Sequence, residues 1–304
     1  MTSGSFVLLD GGLSTALHEL GVDTSSALWT AEAAWRHPDD LVRAHRLFVE
    51  AGAEVITTAS YQCDLDLLER AGADPSTARR VLFETTALAR RAIDGTSARV
   101  AVSVGPYGAS RADGSEYTGA YDVDRTVLER HHRRRLEVLL DSGADLVAVE
   151  TIPRMDEAAI VRDLLVEFDS PPTWFSFGLQ SERLTYAGDT LVDATRDLLD
   201  YPNLVAIGVN CTAPMHVAGA LQALRGLGVP LIAYPNHGRA WNAIERAWTG
   251  DETVIDVNQL SQWVEAGASH IGGCCGVGSA DIGRLAALRA RLAGPGDTKP
   301  NNMA

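Results

Sequence analysis

Eight short apolar runs govern what this 304-residue chain can fold into: each is closed by a glycine, proline, asparagine or similar breaker, and a stretch with helical apolar spacing follows. The runs are Phe6–Asp10, Val55–Ser60, Val100–Val104, Leu146–Thr151, Thr173–Leu179, Ala206–Cys211, Leu231–Pro235 and His270–Cys274. The spacing predicts helices over Pro38–Ala51, Thr77–Ile93, Val123–Ser142, Met155–Glu167, Leu191–Leu199, Pro214–Leu227, Ile255–Ala266 and Ser279–Leu292. In the first of these, Leu41, Ala44, Phe48 and Ala51 share one helix face. Three helices run into Ala51-Gly52-Ala53, Ser142-Gly143-Ala144 and Ala266-Gly267-Ala268, where a glycine past the helix end accepts the left-handed cap. Strands alternating with helices at this interval argue for an all-parallel sheet, and eight units favour a closed (β/α)8 TIM barrel over an open doubly wound sheet. A single domain over residues 1–293 is expected, and residues 294–304, rich in Gly, Pro, Asn and Lys, read as a disordered tail.

The formal charge of -14 sets the summed field against phosphate, so nucleic acid and anionic membrane are poor partners and a cationic ligand is weakly favoured. No apolar stretch approaches the roughly 20 residues of a membrane span, and Met1–Gly12 lacks a basic leader region, so a cytoplasmic protein is expected. Of the four cysteines, Cys63, Cys211, Cys274 and Cys275, the last two are sequence neighbours, which argues against a disulfide framework and for reduced thiols.

In a parallel barrel the active site lies at the C-terminal ends of the strands. Those ends carry Asp10-Gly11-Gly12, Tyr61-Gln62, Gly105-Pro106-Tyr107, Glu150-Thr151, Asn210-Cys211, Asn236-His237 and Gly273-Cys274-Cys275. Three of the four cysteines therefore share one rim, with a single strand between Cys211 and the Cys274–Cys275 pair. Adjacent residues on a regular strand point to opposite faces, so both members of the pair reach one ion only if the strand breaks there. Gly272, Gly273 and Gly276 make such a break easy. Three thiolates with a fourth position open suit catalytic zinc, since a structural site supplies four protein ligands. Other features read more plainly. His131 and His132 lie in a basic run through Arg135 that reads as a solvated helix face, and Gly276–Ser279 is either a phosphate cradle or, through Ser279, a helix N-cap.

Taken together, the motifs resemble those of the homocysteine S-methyltransferases that use S-methylmethionine or S-adenosylmethionine, relatives of betaine-homocysteine methyltransferase. The resemblance spans nearly the whole chain: Leu9-Asp10-Gly11-Gly12, Thr58-Ala59-Ser60-Tyr61-Gln62, Ser103-Val104-Gly105-Pro106-Tyr107-Gly108-Ala109, Asp113-Gly114-Ser115-Glu116-Tyr117, Glu150-Thr151, Gly208-Val209-Asn210-Cys211, Tyr234-Pro235-Asn236 and Gly272-Gly273-Cys274-Cys275. It implies the same barrel and a zinc site on Cys211, Cys274 and Cys275. It also implies that Asp10 and Glu150 hold the homocysteine ammonium, that amides near Gly11 and Gly12 receive its carboxylate, and that Asn210 belongs to the substrate site. The chain departs from the family pattern where His237-Gly238-Arg239 replaces Ser-Gly-Glu, and where Gly276 stands in place of the arginine common after the cysteine pair.

The implied reaction moves a methyl group from a sulfonium donor to homocysteine, giving methionine. Metal coordination makes the thiolate nucleophile. A cationic donor calls for aromatic faces and carboxylates, and the rim offers Trp29, Tyr61, Gln62, Tyr107, Glu116, Tyr117 and Tyr121. Two rival readings remain: a zinc hydrolase, disfavoured because three thiolates make a weak Lewis acid, and a non-catalytic homocysteine-binding module of a larger methyl-transfer assembly.

Overall fold

A computed structural model of the chain describes residues 6–242, 247–249 and 253–293. Its eight barrel strands are β1 (Val7–Leu8), β2 (Val55–Thr57), β3 (Arg99–Val104), β4 (Leu146–Ile152), β5 (Thr173–Phe177), β6 (Leu204–Asn210), β7 (Leu231–Tyr234) and β8 (Ala268–Ile271). All neighbouring pairs are parallel, and β8 returns to β1 with Val7 opposite His270. The ring closes through a parallel bridge between Leu9 and Val55, where the Glu54 amide donates to the Leu8 carbonyl at 2.7 Å and the Asp10 amide to the Val55 carbonyl at 3.1 Å. The structure is the expected (β/α)8 barrel. Residues 294–304, read from sequence as a disordered tail, lie outside the described residues. No helix among the described residues is long and apolar enough to cross a membrane.

Alternation along the strands produces two cores. Val7, Leu9, Val55, Ala101, Ala148 and Trp174 fill the barrel interior with their neighbours, whereas Leu8, Ile56, Val147, Val149 and Phe175 face the helices. Each helix docks by the stripe its sequence provides. Pro38–Glu50 starts with proline at its first turn and two acidic residues there, and it buries Leu41, Ala44, His45 and Phe48. The three expected caps, Gly52, Gly143 and Gly267, all have positive φ (104°, 76° and 108°). Several short elements sit on top of this frame: helices Leu13–Glu19, Thr30–Arg36, Leu65–Arg70 and Tyr107–Arg111, and a hairpin pairing Leu179–Ser181 with Leu184–Thr185. Of these, Leu13–Glu19 and Thr30–Arg36 contribute to the wall of the barrel mouth.

One sequence expectation is corrected and one open alternative is narrowed. The run Val123–Ser142 forms a helix over Arg125–Leu139 whose basic stretch is not a solvated face: His131, His132 and Arg135 turn inward, while Arg133 and Arg134 point out to Glu167 and Asp66. Burial holds both imidazoles well below their ordinary pKa, so they are neutral. His132 meets Glu157 at 2.8 Å, and the buried Arg135 guanidinium donates to the carbonyls of Ser60 (2.8 Å), Tyr61 (3.0 Å) and Gly105 (3.1 Å) at the mouth ends of β2 and β3. Of the two alternatives at Gly276–Ser279, the contacts favour the helix start over the phosphate cradle. Ser279 opens the helix Ser279–Ala293, but the carboxylate of Glu19 already accepts from its hydroxyl (2.9 Å) and amide (3.3 Å).

Candidate functional site

Strand β8 ends at Ile271, three residues short of the first cysteine of the pair, so the expected run through Cys274 is too long. From there the backbone turns: the Gly273 amide donates to the Asp10 carbonyl, the Cys274 amide to Pro235 and the Val277 amide to Cys274. This is the break that lets neighbouring cysteines point the same way. Across the mouth, Cys211 follows β6 with φ at +46°, a left-handed conformation costly for a side chain with a Cβ. It is held there by its carbonyl, which accepts from the Tyr186 hydroxyl (2.8 Å) and the Asn236 side chain (3.2 Å).

The result is a cluster in which the Sγ atoms of Cys211, Cys274 and Cys275 all lie within 4.8 Å of one another, with Cys275 at 3.9 Å from each of the other two. Tetrahedral ligands on bonds of about 2.3 Å sit roughly 3.8 Å apart, so the spacing fits one ion bound by three sulfurs. The electrostatics agree. Hydrogen bonds among the three sulfurs act in both directions, but with burial and mutual repulsion added the thiols are held well above their usual pKa, so three thiolates need a cation between them. Cys63 is buried elsewhere, just ahead of the helix Leu65–Arg70, and takes no part.

The sulfurs open onto a cavity of about 490 Å³ at the barrel mouth, which Asp10 and Glu150 also line. Asp10 accepts from the Thr57 amide (2.7 Å) and hydroxyl (3.1 Å), and Glu150 accepts from the Ser103 hydroxyl. Burial pushes Asp10 up to about 8, the charge of Glu150 adding to the shift and the Thr57 bonds opposing it. Burial likewise lifts Glu150 to about 7, against hydrogen bonds from Ser103 and Tyr234. Two buried carboxylates in one cavity favour a cationic guest, because an ammonium group restores both charges.

Gly11 and Gly12 pass under the cysteine turn, and they are glycines for lack of room: a Cβ would lie 2.4 Å from the Val277 carbonyl oxygen at Gly11 and 2.7 Å from that of Cys274 at Gly12. The Gly12 amide, expected to take the substrate carboxylate, instead donates to Val277 at 2.9 Å. Asn210 lines the cavity, yet its amide group is committed: Oδ1 accepts from the Thr151 amide (2.7 Å) and Ser176 (2.8 Å), and Nδ2 donates to the Thr151 hydroxyl (2.7 Å). Thr151 has φ at +57°, so Asn210 clamps a strained residue next to Glu150 and itself precedes Cys211.

Of the aromatic candidates, Trp29, Tyr61 and Tyr117 line the cavity with Gln62 and Glu116. Trp29 and Tyr61 meet edge to face at 6.1 Å, and the Tyr117 hydroxyl lies 3.9 Å from the Cys211 sulfur. Glu116 is buried with Oε2 lacking a hydrogen-bond partner, and burial raises it to about 7. Tyr107 and Tyr121 do not line the cavity. Their rings pack edge to face at 5.3 Å behind it; the Tyr107 amide and the Tyr121 hydroxyl both bond Glu157, turning this pair toward the buried histidines. Sequence reasoning gave no role to Tyr234, although it stands in a quoted motif, and missed Tyr186. Tyr234, two residues after inward Ile232, was open to discovery by strand alternation; its phenol takes the Trp174 indole (2.9 Å) and sits 2.6 Å from Ser176. Tyr186 follows a hairpin that carries no strong sequence signal.

Fold and site together define a barrel of the enzyme type, with a three-cysteine cluster spaced to hold a metal ion beside a carboxylate-lined cavity. The profile described as Homocysteine S-methyltransferase matches residues 7–289. The chain is 38% identical over 296 residues to a homocysteine S-methyltransferase of Escherichia coli (strain K12), covering 94% of each, and 37% identical to homocysteine S-methyltransferase 3 of Arabidopsis thaliana, covering 90% of this chain and 86% of that one. It superposes on the crystal structure of the metallated form of the Escherichia coli homocysteine methyltransferase MmuM with a TM-score of 0.83 and 37% identity, covering 93% of this chain and 96% of the other. The chain belongs to the homocysteine S-methyltransferase family. Nothing in these relatives supports a hydrolase or a non-catalytic module.

Proposed function

We propose that the protein transfers a methyl group from a sulfonium donor, S-methylmethionine or S-adenosylmethionine, to L-homocysteine, with zinc on Cys211, Cys274 and Cys275. The observation that carries this reading is that one cavity holds both the three converging sulfurs and the buried carboxylates Asp10, Glu150 and Glu116. Bound zinc supplies a lowered thiol pKa, so that homocysteine reacts as a thiolate at neutral pH. Cys211, Cys274 and Cys275 would hold the ion, and a three-thiolate donor set would leave it able to accept the substrate sulfur. Asp10 and Glu150 bind the homocysteine ammonium and fix the direction of its sulfur, while Gly11 remains beside the carboxylate. Glu116, Trp29, Tyr61, Tyr117 and Gln62 face the donor cation, whose charge finds the unpartnered Glu116 oxygen and the aromatic rings. The homocysteine sulfur forms the new bond to the methyl carbon as the sulfonium S–CH₃ bond breaks. That bond's electron pair stays on the donor sulfur, which leaves as a neutral thioether, and the homocysteine thiol proton goes to solvent. A cluster of reduced thiols suits a reducing compartment such as the cytoplasm, which is the localisation we propose.

The test is direct: the purified protein is assayed for methionine formation from homocysteine with each donor, and its metal is identified by elemental analysis. Methionine with either donor and about one zinc per chain is the expected result. A metal-free, fully active enzyme, or no transfer from either sulfonium, overturns the reading.

A pH profile follows from the same carboxylates. With Glu150 near 7 and Asp10 near 8 in the free protein, acid protonates the groups that pair with the substrate ammonium, which stays charged throughout. The value of kcat/KM for homocysteine should therefore rise between about pH 6 and 8 and fall on acidification, since this ratio reports ionisations of the free enzyme. Replacing Glu150 with glutamine should flatten the lower limb, and an unchanged profile in that variant would assign the limb to another group.

A further inference from the structure

His237 and Gly276, two of the positions flagged in the sequence as departures from the family pattern near the cysteines, are in contact. A Cβ built on Gly276 would lie 2.0 Å from Cδ2, 2.3 Å from Cγ and 2.7 Å from Nε2 of the His237 ring, distances no side chain tolerates. The buried imidazole therefore occupies the volume that any larger residue at 276 would claim. Its position is fixed relative to the thiols from both sides of its own backbone: the His237 amide donates to the Cys275 carbonyl at 3.0 Å, its carbonyl accepts from Thr253 at 2.7 Å, and the preceding Asn236 bonds the Cys211 carbonyl. The ring also receives the Arg239 amide on Nδ1 at 3.4 Å.

Both residues line two spaces at once. One is the substrate cavity of about 490 Å³; the other is a cleft of about 90 Å³ behind them, whose far walls include Ile255, Val277 and Leu285. The imidazole thus stands between them as a partition. We infer that His237, seated on the bare backbone of Gly276, is a specificity-determining residue: its ring closes the cavity off from the cleft behind and limits how bulky a sulfonium donor can sit beside the thiols. The inference rests on the methyl-transfer reading above and deepens it. Homocysteine is small and common to every turnover, so a change in this wall registers in the choice of donor.

The test uses His237→Ala, Gly276→Ala and their combination in the full chain, with S-methylmethionine as the compact donor and S-adenosylmethionine as the bulky one. His237→Ala should shift the ratio of kcat/KM values toward S-adenosylmethionine by about tenfold, the scale on which pocket volume discriminates between ligands. His237→Gln, which keeps most of the length, should leave the ratio within about threefold of the parent. Gly276→Ala should lower the Tm and the activity with both donors, because the methyl group displaces the ring and because φ is +80° there. Adding His237→Ala to Gly276→Ala should raise the Tm, whereas the same change in the parent lowers it, and that reversal of sign marks two residues competing for one space. The reversal needs no activity to be read. Should Gly276→Ala and the double variant both fail to fold, the donor ratio of His237→Ala alone decides. An active parent whose ratio is unchanged in His237→Ala overturns the inference, as does a Tm penalty that simply adds. A parent inactive with both donors instead overturns the methyl-transfer reading itself.

Discussion

Replacing Cys211, Cys274 or Cys275 singly with serine should yield protein that purifies with little or no metal and has lost at least about a hundredfold in kcat/KM for homocysteine. The size follows from how metal affinity is shared: a structural zinc site binds with roughly 10–16 kcal/mol across four ligands, so each ligand supplies about 3 kcal/mol, or roughly a hundredfold in affinity. A hydroxyl is a far poorer zinc ligand than a thiolate and recovers little of that. Losing one sulfur also removes negative charge from the centre and leaves the substrate thiol a weaker nucleophile. The three positions are not equivalent in their supports. Cys211 sits at φ +46° on a carbonyl clasped by Tyr186 and Asn236, while Cys274 and Cys275 hang from a turn with no strand constraint, so all three variants should still fold. Cys63→Ser is the control. Its thiol is buried, pushed up to about 12 by that burial and outside the sulfur cluster, so the variant should lose stability but keep its metal and its chemistry. Metal analysis of the four purified variants decides: a serine variant of the cluster that retains zinc, or a Cys63 variant that loses it, shows the ligand set to be wrong.

The barrel was legible because its signal is repeated eight times and is carried by burial. Runs such as Val100–Val104 are apolar on both faces, since one side packs inside the barrel and the other against helices, and that pattern survives any uncertainty about ends. Ends were another matter. The run His270–Cys274 is continuous in sequence, and its amides go on bonding the neighbouring chain ends as far as Cys274, but regular strand geometry stops at Ile271, where Gly272 and Gly273 lead into the turn that carries the cysteines. The short helices at the mouth escaped for a related reason. Leu13–Glu19 and Tyr107–Arg111 are only 7 and 5 residues long, too short for an apolar period to stand out, and they are held by tertiary contacts rather than by their own propensity.

The site divides the same way. Cysteines and acidic residues at strand ends could be placed because a strand end in a parallel barrel is always at the mouth. Side-chain direction beyond the strand end could not. Tyr107 follows Pro106 by one residue, and the helix it opens turns its ring away from the cavity toward Tyr121 and His131, while Tyr117, at the end of the short 3-10 turn Ser115–Tyr117, comes back to face Cys211. The histidines show the limit of reading charge runs: Arg133 and Arg134 are solvated, but the helical period carries His131, His132 and Arg135 to the buried face, where Glu157, Asp64 and strand-end carbonyls receive them. Asn210 was expected to touch substrate through the motif it belongs to. It lines the cavity, and its hydrogen bonds also give it a positioning role, holding Thr151 and with it the backbone that presents Glu150.

Glu150→Gln should raise the homocysteine KM with no change in metal content, if the carboxylate grips the substrate ammonium rather than the ion. Glutamine keeps the shape and the ability to accept from Ser103, and it removes only the charge. A hydrogen bond to a charged group contributes about 1.5–3 kcal/mol, which corresponds to roughly ten- to a hundredfold in kcat/KM. Asp10 lines the same cavity and repels Glu150 when both are ionised, so part of the ammonium's attraction persists in the variant and the loss should fall toward the lower end of that range. The decisive measurement pairs the variant with the deamino analogue of homocysteine, whose sulfur and carboxylate are intact. With the parent enzyme the analogue should lose a similar factor, and with Glu150→Gln it should lose little more, because two partners of one contact cannot both be charged for its removal. If the two losses simply multiply, Glu150 and the ammonium are not in contact. The raised carboxyl would then be read as a brace of the barrel mouth through Ser103 and Tyr234, and Asp10 alone would be left to receive the amino group.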